Sequence, residues 1–252
     1  MKILISPSKT LNFNDFNTPG LSSDCRLLSH TLELHKILVQ YSIDGIQDLM
    51  NVSEKIAEIN FNRFKNWENP SSSSTSKQAI FAFKGDVYSG LDADSISQEN
   101  HNFMQENLRI LSGFYGLLRP FDQILPYRLE MGTKLENKNG NNLYKFWGDK
   151  ITDLLNEDLE DDDVIVNLAS EEYFKSINKN KITSKLITPV FKEFKKGNYK
   201  VIAIYAKKAR GLMSRFLIER QSKSVEDVKL FNVDGYSFDS SLSNDNELVF
   251  TR

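Results

Sequence analysis

Lys207, Lys208, Arg210 and Arg215 fall within nine residues of one another, where an apolar strand-like run gives way to helical spacing. Four cations at such a junction can line the crevice that α/β folds keep at strand ends, and can hold phosphate there. The glycine-rich loop and Gly-Lys-Ser/Thr ending of a P-loop are missing. A salt-bridged, exposed helix start has the same composition. Ser6-Pro7-Ser8-Lys9-Thr10 also follows an apolar run and offers hydroxyls beside one charge. Ser8 and Lys9 lack the Ser-x-x-Lys spacing of a nucleophile pair, and a simple turn fits as well. Lys84-Gly85-Asp86 and the block from Leu111 to Pro120 contain glycines that let a backbone approach a ligand. Arg119, Arg128, Glu130 and Lys134 cluster nearby. Arginine suits bidentate phosphate or carboxylate contacts, but such groups are as often structural ion pairs. Tyr115 and Tyr127 can stack on bases, although core packing is their commoner use.

Composition limits what these residues can do. Lys plus Arg is 32 and Asp plus Glu is 34 in 252 residues, a net charge of −2. That excludes a polycationic tail protein and an acidic solvating one. The balance hides an asymmetry. Residues 172–223 hold fourteen basic and three acidic side chains, a local +11 that leaves −13 on the rest. Immediately upstream lies the acidic run Glu157, Asp158, Glu160, Asp161, Asp162 and Asp163. A concentrated basic segment can place a positive field where a polyanion docks; a solvated lysine-rich surface is the plainer use. One cysteine, Cys25, excludes an internal disulfide framework and any multi-Cys zinc site. It lies near an expected helix start, which can lower a thiol pKa, yet without a partner cysteine it reads as structural. His30 and His35 are five apart on one expected helix and point apart, and His101 stands alone. No metal site and no cofactor follow from them. The N-terminal apolar run is too short for a signal peptide, and no stretch approaches the ~18 apolar residues of a membrane helix. A cytoplasmic protein with no membrane partner is the expectation.

The segment Ile46–Ile59 resembles the helix-hairpin-helix motif of DNA-repair proteins, in an element spanning residues 43–64. In that motif a short helix ends at an apolar-Gly-apolar-Gly hairpin, and a second helix packs on it through a small residue. Ile46 and Leu49 match the inward residues, Val52 the hairpin's apolar residue and Ala57 the small one. Asn51 and Ser53 replace both glycines. Asparagine tolerates left-handed backbone, and Ser53 suits a helix N-cap. Free N–H groups at a helix N-terminus cradle a phosphate without reading a base. Lys55 can add a charge-assisted contact. A plain helical hairpin packed on the core fits the same pattern.

The elements that must position these residues interleave. Lys2–Ser6, Ala79–Phe83, Val164–Leu168, Leu186–Phe194, Tyr199–Ala206 and Glu247–Thr251 read as strands. Helices are expected after the Ser22-Ser23-Asp24 cap, at Ile43–Met50, Ser53–Trp67, Ser97–Leu111, Asn142–Leu159 and Ala209–Gln221. Lys196-Gly197-Asn198 suits a hairpin turn. Asn12–Gly20 and Asn69–Ser76 read as loops. With 40% apolar and 11% aromatic residues the chain can fill a core, and its length fits a single mixed α/β domain over residues 1–252.

Seven blocks carry a family resemblance: Ser6–Leu11, Phe83–Leu91, Leu111–Asp122, Pro126–Leu135, Phe146–Asp149, Asn167–Phe174 and Tyr205–Glu219. Together they resemble the YaaA peroxide-stress protein family from one end of the chain to the other. The resemblance implies a single α/β domain with a positively charged cleft and a helix-hairpin-helix. It also implies a role in the response to hydrogen peroxide, an association with low free intracellular iron, and DNA binding linked to repair. On that basis Asn51, Val52, Ser53, Lys55, Lys9, Lys84, Arg119, Arg128, Lys207, Lys208, Arg210 and Arg215 are the candidate contacts. Their partner would be double-stranded or branched DNA, held through its phosphate backbone. No protein partner and no reaction follow, and no catalytic constellation is evident. An enzyme acting on a small phosphorylated or carboxylated metabolite in a Lys/Arg/Asp-lined pocket is the second reading. Direct iron sequestration is a third, which scarce histidine and cysteine oppose.

Overall fold

The computed structural model describes residues 1–14 and 20–252; part of the expected Asn12–Gly20 loop lies outside them. One eight-stranded sheet organises the chain. Its strands are β1 (Lys2–Ile5), β2 (Leu108–Ser112), β3 (Gly116–Leu118), β4 (Val164–Asn167), β5 (Lys185–Lys195), β6 (Asn198–Lys200), β7 (Ser237–Phe238) and β8 (Glu247–Thr251). They run in the order β7-β8-β5-β4-β1-β2-β3, with β6 paired to β5. Strands β8, β5, β4, β1 and β2 are parallel, while β3, β6 and β7 run antiparallel to their neighbours. Ile3, Leu4 and Ile5 are fully buried, and all four residues of β4 are buried, Ile165 and Val166 completely. Continuous apolar burial is what a parallel sheet covered on both faces demands.

The principal helices are α1 (Leu28–Leu38), α2 (Ile43–Met50), α3 (Glu54–Lys65), α4 (Asp86–Leu91), α5 (Lys150–Glu157) and α6 (Ala203–Glu219). From β1 the chain first reaches β2 on one side and later β4 on the other. The carboxyl end of β1 is therefore a topological switch point, where such sheets leave a crevice.

Five expectations differ. Ser22-Ser23-Asp24 does not cap α1, which begins at Leu28 with Leu27 at its N-cap position and no side-chain capping bond. Ala79–Ala82 forms a helical turn, and only Phe83–Lys84 is extended. All four turn residues are buried, and an apolar run buried on every side has no period to separate helix from strand. The Ser97–Leu111 helix stops at Asn107, because Leu108–Ser112 is the buried strand β2. The Asn142–Leu159 helix is two, Leu143–Trp147 and α5, divided at Gly148-Asp149. Tyr199–Ala206 is strand only to Lys200, and α6 begins already at Ala203. The β5–β6 turn is as expected: Lys196 and Gly197 have φ of +53° and +81°, the left-handed pair of a tight hairpin.

Helices α4 and α6 cross at very short range. A Cβ at Gly211 would lie 1.9 Å from the Val87 carbonyl oxygen, and one at Gly90 would lie 2.3 Å from that of Lys208. Backbone meets backbone there, which fixes the middle of α6 against the segment after Lys84. Gly211→Ala must push the helices apart, at a cost of about 3 kcal/mol. Urea denaturation should show a correspondingly lower midpoint, whereas Gly20→Ala, whose Cβ meets nothing within 4 Å, should leave it unchanged.

Candidate functional site

At the carboxyl edge of the sheet, hydroxyls tie the strand ends together. Ser6 Oγ accepts from the Ser170 N–H at 2.8 Å and donates to Ser170 Oγ at 3.2 Å. Tyr88 OH, on α4, donates to the Ser6 carbonyl at 3.0 Å. Ser112 Oγ lies 2.6 Å from Tyr127 OH. Tyr115 and Tyr127 are both buried, so they serve the core and are closed to bases.

A line of charged side chains runs above this layer. Lys9 Nζ pairs with Glu130 at 2.6 Å, and Arg128 Nη2 meets the same carboxylate at 3.0 Å. Arg128 Nε is buried without a partner. Arg63 of α3 lies close by: burial lowers its pKa first, and the Arg128 charge lowers it further. Thr10 is registered against Lys84, which brings Lys9 beside the start of α4, and Lys84 pairs with Asp94 at 3.3 Å. The α4–α6 crossing then carries the line to Lys207, Lys208 and Arg210. Lys208 reaches Asp234 at 3.8 Å. Among the described residues Lys207 and Arg210 have no ion-pair partner, and burial lowers the Arg210 pKa.

Helices α2 and α3 form a hairpin at one end of this line. Asn51 has φ 48° and ψ 59°, the left-handed conformation expected of it. Ile46 and Ala57 are fully buried. Ser53 occupies the N-cap position of α3, but its hydroxyl makes no capping bond. The first-turn amides of α3 are thus left open beside exposed Lys55. Asn51 faces Glu130, Lys134 and Glu172 across a depression of about 670 Å³, which Asp48 also lines. Glu172 accepts from the Gly132 N–H at 2.9 Å.

Two expected contacts lie elsewhere. Arg119 donates to Asp122 and to the Asp24 carbonyl, each at 3.0 Å. It lines a second depression at the amino end of the strands, together with Arg26, Arg109, Asp158 and Asp163. Arg215 donates to the Leu91 and Asp92 carbonyls and to Ser95, and pairs with Glu219 at 2.7 Å. Both arginines hold the fold together. Arg63, Ser170 and Glu172 were not singled out from sequence. Ser170 and Glu172 lie in a block that carries the family resemblance, and Arg63 has only its spacing from Asn60, whose Oδ1 it reaches at 3.3 Å.

The acidic run belongs to the amino end. Asp158 takes two hydrogen bonds from Arg26, at 2.6 and 2.8 Å, and one from Arg109 Nε at 2.6 Å. Asp163 pairs with the N-terminal amine. Cys25 is buried; desolvation, and then Asp122 and Asp24, push its thiol pKa up, so it holds its proton. Among the described residues no three His, Cys, Asp or Glu side chains gather as a metal site, and no helix is long and apolar enough to cross a membrane.

The sequence resembles known proteins along most of its length. The family model described as peroxide stress protein YaaA matches residues 1–242. A UPF0246 protein of Colwellia psychrerythraea is 47% identical over 100% of this chain and 99% of its own length.

The Asp158 cluster gives a pH test. Burial alone would raise this carboxyl, but the bonds from Arg26 and Arg109 outweigh it and hold its pKa at about 2. A depressed pKa stabilises the fold above about pH 4, and the contribution is lost as pH falls toward 2. Allowing for partial solvent screening, the pH-dependent part is about 1–2 kcal/mol. Asp158→Asn should cost more at neutral pH, about 3 kcal/mol, because Arg109 is left buried and unpaired. Urea titrations across the acid range should show the variant's stability falling less steeply between about pH 4 and 2 than the parent's.

Proposed function

The chain belongs to the peroxide stress protein YaaA family, and we propose that it serves that response by binding DNA through the phosphate backbone, protecting it or helping its repair. One observation carries the reading. Cations distant in sequence are brought near one another: the Arg128 charge acts on Arg63, Arg128 and Lys9 share Glu130, Thr10 beside Lys9 is registered against Lys84, and the α4–α6 crossing sets Gly90 against the Lys208 backbone. The acidic run is tied down at the opposite end of the strands.

Phosphates would meet the open amides of Ser53, Glu54 and Lys55, the Lys55 side chain, and these cations. Asn51 and Val52 shape the turn; their own N–H groups are spent on the carbonyls of Asp48 and Gln47. This is a helix-hairpin-helix used as a backbone clamp, with no base readout. The alternative, an enzyme for a small phosphorylated or carboxylated metabolite, has a depression at the switch point. Asp48, Glu130 and Glu172 line that depression and oppose an anionic occupant. The amides of Ser53 to Lys55 lie outside the lining. An association with low free iron is taken as a consequence of the family's role, with no iron site assigned to the chain.

Fluorescence anisotropy on a labelled duplex should show affinity falling steeply with salt, by about 0.9 in log–log slope for each phosphate neutralised. Lys207→Glu with Lys208→Glu should weaken binding at least tenfold, evenly across sequences, and reduce that slope by about 2. Lys55→Glu should act in the same direction. Binding indifferent to salt and to these reversals would exclude the interface.

A further inference from the structure

Five of the exposed large apolar side chains fall within twelve residues: Phe194, Tyr199, Val201, Ile204 and Tyr205. They occupy the β5–β6 hairpin, the short link that follows it and the first turn of α6. Phe194 and Tyr199 are direct cross-strand partners. Their rings meet at 5.2 Å and 64°, with Phe194 61% and Tyr199 43% exposed. The tight Lys196-Gly197 turn joins the two strands that carry the pair. Arg252 braces the hairpin at its base. Its carbonyl accepts from the Phe194 N–H at 2.8 Å, and its guanidinium lies 5.1 Å from the Tyr205 ring while bonding Glu193 and Asp234. The rings of Phe194 and Tyr199 thus pair with each other and remain exposed.

The surrounding charge identifies what would cover them. Residues 194–210 include Lys195, Lys196, Lys200, Lys207, Lys208 and Arg210 and no acidic residue. Among the described residues only Lys208 has a carboxylate in ion-pair range. An apolar patch of this kind marks an interaction surface. A two-fold dimer through this face would set lysine against lysine. An intact duplex offers phosphates but keeps its base faces stacked. Unpaired DNA offers both phosphates and open base faces. The patch also runs directly into the α6 cations of the proposed interface.

We propose that the β5–β6 hairpin is a stacking post for unpaired bases in DNA, such as those of a tail, gap or junction. A base stacks on Phe194 and Tyr199 while Lys195, Lys196 and Lys200 hold the neighbouring phosphates. The proposal rests on the DNA-binding reading and narrows it to DNA with a single-stranded part.

The test compares a blunt duplex with the same duplex carrying a single-stranded thymidine tail, using anisotropy and the full chain. The parent should bind the tailed DNA roughly tenfold more tightly. The exposed double variant Phe194→Ala with Tyr199→Ala should lose that preference while keeping duplex affinity within about twofold and its thermal melting point. Phe194→Tyr with Tyr199→Phe should restore the preference. Equal affinity of the parent for both DNAs, or an equal loss on both in the variant, would overturn the stacking post and leave backbone binding standing. No binding to either DNA at low salt would overturn both. Retention on phosphatidylglycerol vesicles, or a dimer in solution, that disappears in the alanine variant without any tail preference would reassign the patch and overturn the proposal.

Discussion

Ile3, Leu4 and Ile5 must be covered on both sides of the sheet, and the remaining architecture follows from that requirement. A strand this apolar cannot face water, so it takes the centre, with parallel neighbours β2 and β4. Parallel neighbours need crossovers, and crossovers supply the helices that cover both faces. Because the chain leaves β1 first toward one neighbour and later toward the other, the strand's carboxyl end opens between diverging connections. Ser6, Lys9, Ser170 and the Pro126–Leu135 segment gather there although they are far apart in sequence. The candidate interface is thus a consequence of core burial, with the α4–α6 crossing adding the cations of a distant helix.

Much of the frame was legible because its residues obey a period or a turn rule. The buried runs at β1, β4 and β8 read directly as strands. Helix α2 has its expected bounds, and Asn51 its expected left-handed backbone. The turn at Lys196-Gly197 was equally readable. Where burial is complete or absent, the period fails. Ala79–Ala82 is buried all round and reads as well for strand as for helix. Val201, Ile204 and Tyr205 are exposed apolar residues, so they imitate strand alternation without facing a core.

The site was legible as an inventory of cations but not as a geometry. Arg215 and Lys207 look alike in sequence, yet Arg215 is held by Asp92, 123 residues away, while Lys207 is unpaired among the described residues. Partners that distant leave no local trace. Arg63 shows the converse: an isolated arginine on a helix becomes part of the line only because the fold sets Arg128 against it.

Burial of Cys25 has a chemical corollary for a member of a peroxide-stress family. Peroxide oxidises the thiolate, and this thiol is protonated and shielded. The five methionines follow the same pattern: Met1, Met104, Met131 and Met213 are buried, and Met50 is only partly exposed. Five of the six sulfur atoms are therefore withdrawn from the solvent that carries the oxidant, and the first rungs of sulfenic acid and sulfoxide formation are kinetically hindered.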